Sequence, residues 1–381
     1  GVYSARVIAN QYGGDLGGLA GREFTLWNTV VVGDEFTPSN DYMRVYEGRD
    51  LAQSSAHRYF IDAPAGATAM RVRLEVSEDV GSSRGARVLT EICDPEGANR
   101  GGFAGYASVD GDNIKDMTVL APELRPGTWE ILVASSITAA DLSDYRLTVS
   151  FDGYHVEPAE VTSLTRKGPG KDASGSLTVT RAFSGVFEGS VEPAVEGFVR
   201  DSSVEVEDTD IWSKTFTLDA TTPRADFHFE MCEKVANYFT DCAVNILDSS
   251  GKAVRATGFD GLEAHTGISL SGGADSATYT LQVVGAFAIA ADQAEWGFDL
   301  EEKYSFAHPV GGKAKRAGGG ALNLYSGVPT KVKLNFADEW PAAPDGMGVF
   351  GSVKFRDENT EDRRPGDEGG RLVLEVPIRL E

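Results

Sequence analysis

Met70-Arg71-Val72-Arg73-Leu74-Glu75-Val76 sets an apolar side chain at every second position and a charged one between. Successive residues of an extended strand face opposite sides, so this pattern describes a strand with one buried and one solvated face. The alternation returns in Tyr145-Arg146-Leu147-Thr148-Val149-Ser150-Phe151, in Thr278-Tyr279-Thr280-Leu281-Gln282-Val283 and in Arg371-Leu372-Val373-Leu374-Glu375-Val376. Enrichment in Val, Ile, Thr, Phe and Tyr agrees with strands. Ala63-Pro64-Ala65-Gly66, Asp94-Pro95-Glu96-Gly97, Arg125-Pro126-Gly127 and Asp248-Ser249-Ser250-Gly251 carry turn chemistry between them. Helical periodicity is confined to 233–241 and to one turn over 137–143. Many short strands with regular turns predict an all-β chain of tandem antiparallel β-sandwiches, a jelly roll followed by a second β domain.

A weak internal repeat supports the tandem arrangement. Strands at 71–76 and 88–93, the turn 94–97 and an aromatic-led strand at 127–133 are matched in spacing by 226–230, 243–247, 248–251 and 277–284. Two similar sandwiches produce such a repeat. The polar, turn-forming stretch 157–174 reads as a linker, and the charged stretch 356–370 as a solvated excursion before the last strand. A length of 381 residues also favours more than one domain.

The balance of 35 basic to 58 acidic side chains gives a formal charge of -23. Such a chain repels polyphosphate, which argues against nucleic acid as a partner. No apolar run reaches the roughly 18 residues that a membrane-spanning helix needs. The three cysteines, Cys93, Cys232 and Cys242, make neither a disulfide framework nor a zinc cluster. Cys232 and Cys242 can sit on adjacent strands and pair, or stay as buried thiols. The low Lys and Cys content tilts the compartment towards export. The opening Gly1-Val2-Tyr3 shows no signal-peptide pattern and reads as the start of an excised piece.

Candidate chemistry is sparse. None of His57, His155, His228, His265 and His308 lies in a glycine-rich nucleophile turn, and no G-x-S-x-G occurs. In Asp226-Phe227-His228-Phe229-Glu230, His228 shares an outward strand face with Asp226 and Glu230. No H-E-x-x-H or C-x-x-C occurs. Asp110, Asp112 and Asp116 make an oxygen-rich candidate for calcium, although their spacing is not that of an EF-hand and Lys115 intrudes. The glycine pairs, such as Gly13-Gly14 and Gly311-Gly312, lack a phosphate-binding context. Trp27, Trp129, Trp212, Trp296 and Trp340 are read as core anchors. No catalytic or binding residue is assigned.

Arg58-Tyr59-Phe60-Ile61-Asp62-Ala63-Pro64-Ala65-Gly66-Ala67-Thr68 resembles the R-x-F-I-x-x-P-x-G-A-T start of the galactose-binding-like sandwich in the tripeptidyl-peptidase II family of subtilisin-type serine peptidases. Asp144-Tyr145, Ser150-Phe151 and Gly153 resemble its D-Y-x-x-S-F-H-G strand, and Gly351-Ser352-Val353 and Val376-Pro377-Ile378 its closing strands. Gly1-Val2-Tyr3 and 21–26 resemble its Ig-like entry, without that segment's proline. The resemblance implies a short Ig-like segment over 1–50, a galactose-binding-like jelly roll over 51–156 and a larger β-sandwich over 157–381. It further implies accessory work for a subtilisin-like catalytic domain upstream: packing, homo-oligomer contacts or control of substrate access. The family's G-T-S-x-A-x-P serine segment is absent, so no catalytic residue is carried over. The rival reading is a carbohydrate-binding or calcium-assisted ligand-binding sandwich.

Overall fold

The computed structural model describes residues 2–10, 22–76, 88–102, 113–121, 123–137, 139, 142–166, 172–207, 211–231, 242–259, 262–272, 274–285, 295–337, 339–358 and 370–380. The helix-like stretch 233–241, Asp110, Asp112 and Cys232 lie outside them. Among the described residues the chain is all-β, with one three-residue 3-10 turn at Pro38–Asn40. The early strands are β1 (Val2–Asn10), β2 (Arg22–Val31), β3 (Asp34–Glu35), β4 (Met43–Leu51), β5 (Ala56–Ala63), β6 (Ala67–Val76), β7 (Val88–Cys93), β8 (Asn99–Gly102), β9 (Ile114–Leu120), β10 (Gly127–Ser135) and β11 (Ser143–Glu157). Then come β12 (Thr165–Arg166), β13 (Ala173–Arg181), β14 (Val186–Glu207), β15 (Ile211–Asp219), β16 (Arg224–Met231), β17 (Cys242–Leu247), β18 (Ala253–Gly258), β19 (Glu263–Ser269), β20 (Ser276–Gly285) and β21 (Glu295–Gly311). The last are β22 (Lys313–Arg316), β23 (Asn323–Tyr325), β24 (Thr330–Phe336), β25 (Gly348–Asp357) and β26 (Arg371–Leu380).

Two units divide the chain: Gly1–Tyr154 with Ala182–Ser184, and His155–Arg181 with Gly185–Glu381. In the first, β4–β11–β6–β9 form one antiparallel sheet. The other runs β5–β10–β7–β8, with β3 parallel to the edge of β5, while β1 and β2 pair with each other. In the second unit the same order recurs as β14–β21–β16–β19 and β15–β20–β17–β18. This is the jelly-roll order, present twice, and it gives the sequence repeat a structural basis. The second unit also adds β25 and β26 beside β14, β23 along β14, and a sheet of β12, β13, β24 and β22.

The repeat extends to its turns. Asp94 Oδ1 accepts the backbone N–H groups of Glu96 and Ala98, and Asp248 Oδ1 accepts those of Ser250 and Lys252. Gly97 and Gly251 follow at φ of 87° and 81°, a conformation that costs a glycine little. Asp94 is the buried member of the pair and adds Arg100 Nε at 2.7 Å.

Alternation sets both cores. Met70, Val72, Leu74 and Val76 of β6 and Tyr145, Leu147 and Val149 of β11 meet Ile61, Ile92, Trp129, Ile131 and Val133 of the opposing sheet. Trp129 is fully buried and donates its indole N–H to Arg125 O at 2.8 Å, so its one polar atom is satisfied. In the second sandwich Phe216, Phe227, Phe229, Leu281, Val283, Phe298 and Leu300 are buried. Trp212 packs edge-on against Phe298 and Trp340 against Phe336, while the side chains of Trp27 and Trp296 lie outside the described set.

One charge enters this second core. Glu302 on β21 is fully buried and accepts from Arg200 Nε at 2.9 Å, Lys214 Nζ at 2.5 Å and the Tyr304 hydroxyl at 3.1 Å. Burial alone would raise its pKa, but the Arg200 and Lys214 hydrogen bonds outweigh it and hold the carboxyl below the usual range.

The stretch expected to be a linker is instead tied into the second unit. Val161 is buried, and its backbone hydrogen-bonds to Pro377 and Arg379 of β26. Thr165 and Arg166 pair with β13. Backbone groups need partners whatever the local composition, and a nearby sheet edge supplies them here.

Candidate functional site

The outer face of the β14–β21–β16–β19 sheet carries adjacent rows of polar side chains. On β16 the core takes Phe227 and Phe229, which turns His228 and Glu230 outward. On β21 the core takes Leu300 and Glu302, which turns Asp299 and Glu301 outward. Strand register then lines these residues up in rows. One row reads His265, His228, Glu301, Asp201 across β19, β16, β21 and β14. The next reads Glu263, Glu230, Asp299, Ser203 across the same strands.

The His228 and His265 rings stack, with centroids 4.2 Å apart and planes 6° apart. His265 Nε2 lies 3.8 Å from Glu263 Oε2. His228 Nε2 is buried and makes no hydrogen bond among the described residues. Ligand atoms of His228, His265 and Glu263 all fall within 4.8 Å of one another. Beside them opens a cavity of 450 Å³ lined by Asp201, Ser202, Ser203, His228, Glu230, Asp299, Leu300 and Glu301.

The upper end of this face is neutralised. Lys303 Nζ sits 2.6 Å from Glu301, and Arg379 reaches both Glu301, at 3.1 Å, and Asp201. Burial pushes the Glu301 pKa up, yet Lys303 and Arg379 together bring it below the ordinary value. The lower row is different in kind: Glu263, Glu230 and Asp299 lie side by side on three strands. Directly opposed like charges destabilise a sheet unless something compensates them.

Serine, histidine and aspartate share this cavity, but they do not form a hydrolytic relay. Ser203 gives its hydroxyl to Asp299 Oδ1 at 2.5 Å, while the His228 nitrogen that would take a serine proton has no hydrogen-bond partner among the described residues. The constellation is suited to holding a cation rather than activating a nucleophile.

The other sequence candidates are placed as follows. Asp116 on β9 is exposed and accepts from Arg71 at 2.7 Å, an ion pair across β6 and β9. Its expected calcium partners Asp110 and Asp112, and the expected disulfide partner Cys232, are outside the described residues; Cys242 is buried on β17. His57 Nδ1 is 2.7 Å from the Tyr145 hydroxyl, which is 2.6 Å from that of Tyr59. Burial pushes both phenols up in pKa, so they stay protonated and structural. The sequence placed His228 outward beside Glu230 but did not pair it with His265. The signal was there: His228-Phe229-Glu230 and Glu263-Ala264-His265 are mirror-image spellings, which antiparallel pairing sets histidine to histidine and glutamate to glutamate.

Among the described residues no helix is long and apolar enough to cross a membrane. No protein-family model matches the chain, and no curated protein matches it. Among solved structures, the M60 catalytic domain with the CBM51-1 and CBM51-2 domains from Clostridium perfringens ZmpB matches 80% of this chain and 42% of its own at 9% identity, with a TM-score of 0.21. N-glycanase F (PNGase F) matches 71% of this chain and 99% of its own at 9% identity, with a TM-score of 0.23. The crystal structure of tripeptidyl peptidase 2 (TPP II) is matched over 100% of this chain with a TM-score of 0.54 and 14% identity. The chain spans 33% of that structure's length, and the likeness is one of fold.

Proposed function

We propose that this chain is a non-catalytic accessory region of a subtilisin-type serine peptidase similar to tripeptidyl peptidase 2. The observation that carries this reading is the end-to-end fold correspondence: the whole chain, both jelly rolls and the added strands, corresponds to a third of that peptidase. The catalytic serine, histidine and aspartate then belong to a domain upstream of these residues. The loops and edge strands of each sandwich offer surfaces that pack on the catalytic domain, join copies of the protein or narrow the path of substrates.

The test compares peptidase activity of the whole gene product with that of a version lacking these residues, using tripeptide-releasing and internally cleaved substrates. A serine-directed covalent probe is applied to both and to this chain alone. Altered activity or assembly on deletion, with no label on this chain alone, supports the accessory role. Label on this chain alone, or a gene product without any peptidase activity, overturns it.

A further inference from the structure

We propose that His228, His265 and Glu263 form a binding site for a divalent transition-metal cation of the zinc class on the outer face of β16 and β19, with Glu230 beside them. This site is separate from the accessory role and does not depend on it.

The first ground is an unmet need. His228 Nε2 is buried without a hydrogen bond among the described residues, and buried polar atoms in folded proteins nearly always have a partner. A cation coordinated by its lone pair supplies one. The second ground is proximity from two strands: ligand atoms of two imidazoles and a carboxylate lie within 4.8 Å. A tetrahedral ion about 2.0–2.1 Å from each ligand needs those atoms roughly 3.4 Å apart, so closing the site takes a shift of at most about 1.4 Å. The third ground is charge. Glu263, Glu230 and Asp299 are neighbours across three strands, and a dication relieves their repulsion. Imidazole nitrogen selects zinc-like ions over calcium or magnesium, which prefer oxygen throughout.

The stacked rings set a condition on this site. Imidazole lone pairs lie in the ring planes, and two stacked planes only 6° apart, with centroids 4.2 Å from each other, share no nearby point where one ion can lie in both. One ring must therefore turn on binding. His265 is the one that can, because its side chain is 59% exposed whereas the His228 nitrogen is enclosed. Metal binding thus breaks the histidine stack.

The experiment is calorimetric titration of the full 381-residue chain with zinc, repeated with cobalt to record its visible spectrum. One zinc per chain is expected, with cobalt bands of a nitrogen- and oxygen-ligated ion and no thiolate charge-transfer band. H265A, at an exposed position that the fold tolerates, and E263Q are each expected to weaken binding by about tenfold or more, the scale seen even for outer partners of a metal ligand. H308A is expected to leave affinity unchanged. Absence of saturable binding in the wild-type chain overturns the proposal. So does binding that H265A and E263Q leave intact, or a cobalt spectrum dominated by thiolate.

Discussion

Replacing Glu302 with glutamine keeps the shape of the side chain and removes its charge. In the folded protein this carboxylate is fully buried and answers two cations, Arg200 and Lys214. Removing one partner from a buried ion pair typically costs about 3–5 kcal/mol, because the remaining charge is left uncompensated. The two cations are 28% and 27% exposed and can regain some water, which places the expected loss near the lower end, about 3 kcal/mol. For a domain of 150–250 residues that is a fall in Tm of roughly 6–12 °C. Urea denaturation followed by far-UV circular dichroism, with the slope unchanged, measures it. Replacing all three charged residues by methionine is expected to recover most of the loss, since a well-packed apolar substitute for a buried ion cluster is often neutral or better. The folded-state pKa of Glu302 is depressed, so its contribution is present above the unfolded value of about 4.3 and lost as pH falls through the folded value. The gap between wild type and E302Q therefore narrows below about pH 4. An E302Q loss under about 1 kcal/mol, or a triple variant no more stable than the single one, would refute this account of the core.

Trp129→Ala empties the centre of the first sandwich and is expected to cost about 3–5 kcal/mol, seen as a lower urea midpoint for the first unit. Asp94→Ala leaves Arg100 and two backbone N–H groups without their acceptor and is expected to cost about 1–3 kcal/mol, while Asp248→Ala in the equivalent exposed turn costs less; melting of the two variants side by side checks the order. Tyr145→Phe removes the hydroxyl that joins His57 to Tyr59 and is expected to destabilise the first unit by about 1 kcal/mol without touching the second, as read by hydrogen exchange on β5 and β16.

Fold class was legible because alternation is a local property. Met70–Val76 announces its buried face without reference to any other strand, and the structure buries Met70, Val72, Leu74 and Val76 together. The duplicated topology was partly legible, since turn chemistry at 94–97 and 248–251 recurs in place. Pairing was not. The linker reading of 157–174 failed because polar composition says nothing about whether a distant strand, here β26, passes within hydrogen-bonding reach. Glu302 was hidden for a similar reason: Glu301-Glu302-Lys303 looks like a solvated run, and only the arrival of Arg200 from β14 and Lys214 from β15 makes burial of the middle charge tolerable. The histidine site depends on register between two strands some 35 positions apart in sequence, which single-strand periodicity does not encode.

The duplication makes the second sandwich its own best comparison for what the outer sheet face is for. In the first sandwich the corresponding face, on β4, β11, β6 and β9, is a mixed-charge lattice. Arg71 pairs with Asp116 at 2.7 Å, Arg73 with Glu75 at 2.9 Å and Arg146 with Glu47 at 2.9 Å. Across one row, Glu75, Arg146 and Glu47 alternate in sign from strand to strand, the arrangement that stabilises cross-strand neighbours. The same sheet of the second sandwich sets Glu263, Glu230 and Asp299 in a row and places a histidine pair next to it. A surface kept only for solubility has no reason to line up three like charges in a row of one copy and alternate them in the other. Two copies of one topology under the same folding demands differ here in charge order, and the difference falls where the imidazoles are. That is the pattern of a face specialised for a positively charged ligand, and it requires that zinc bind once per chain rather than once per sandwich.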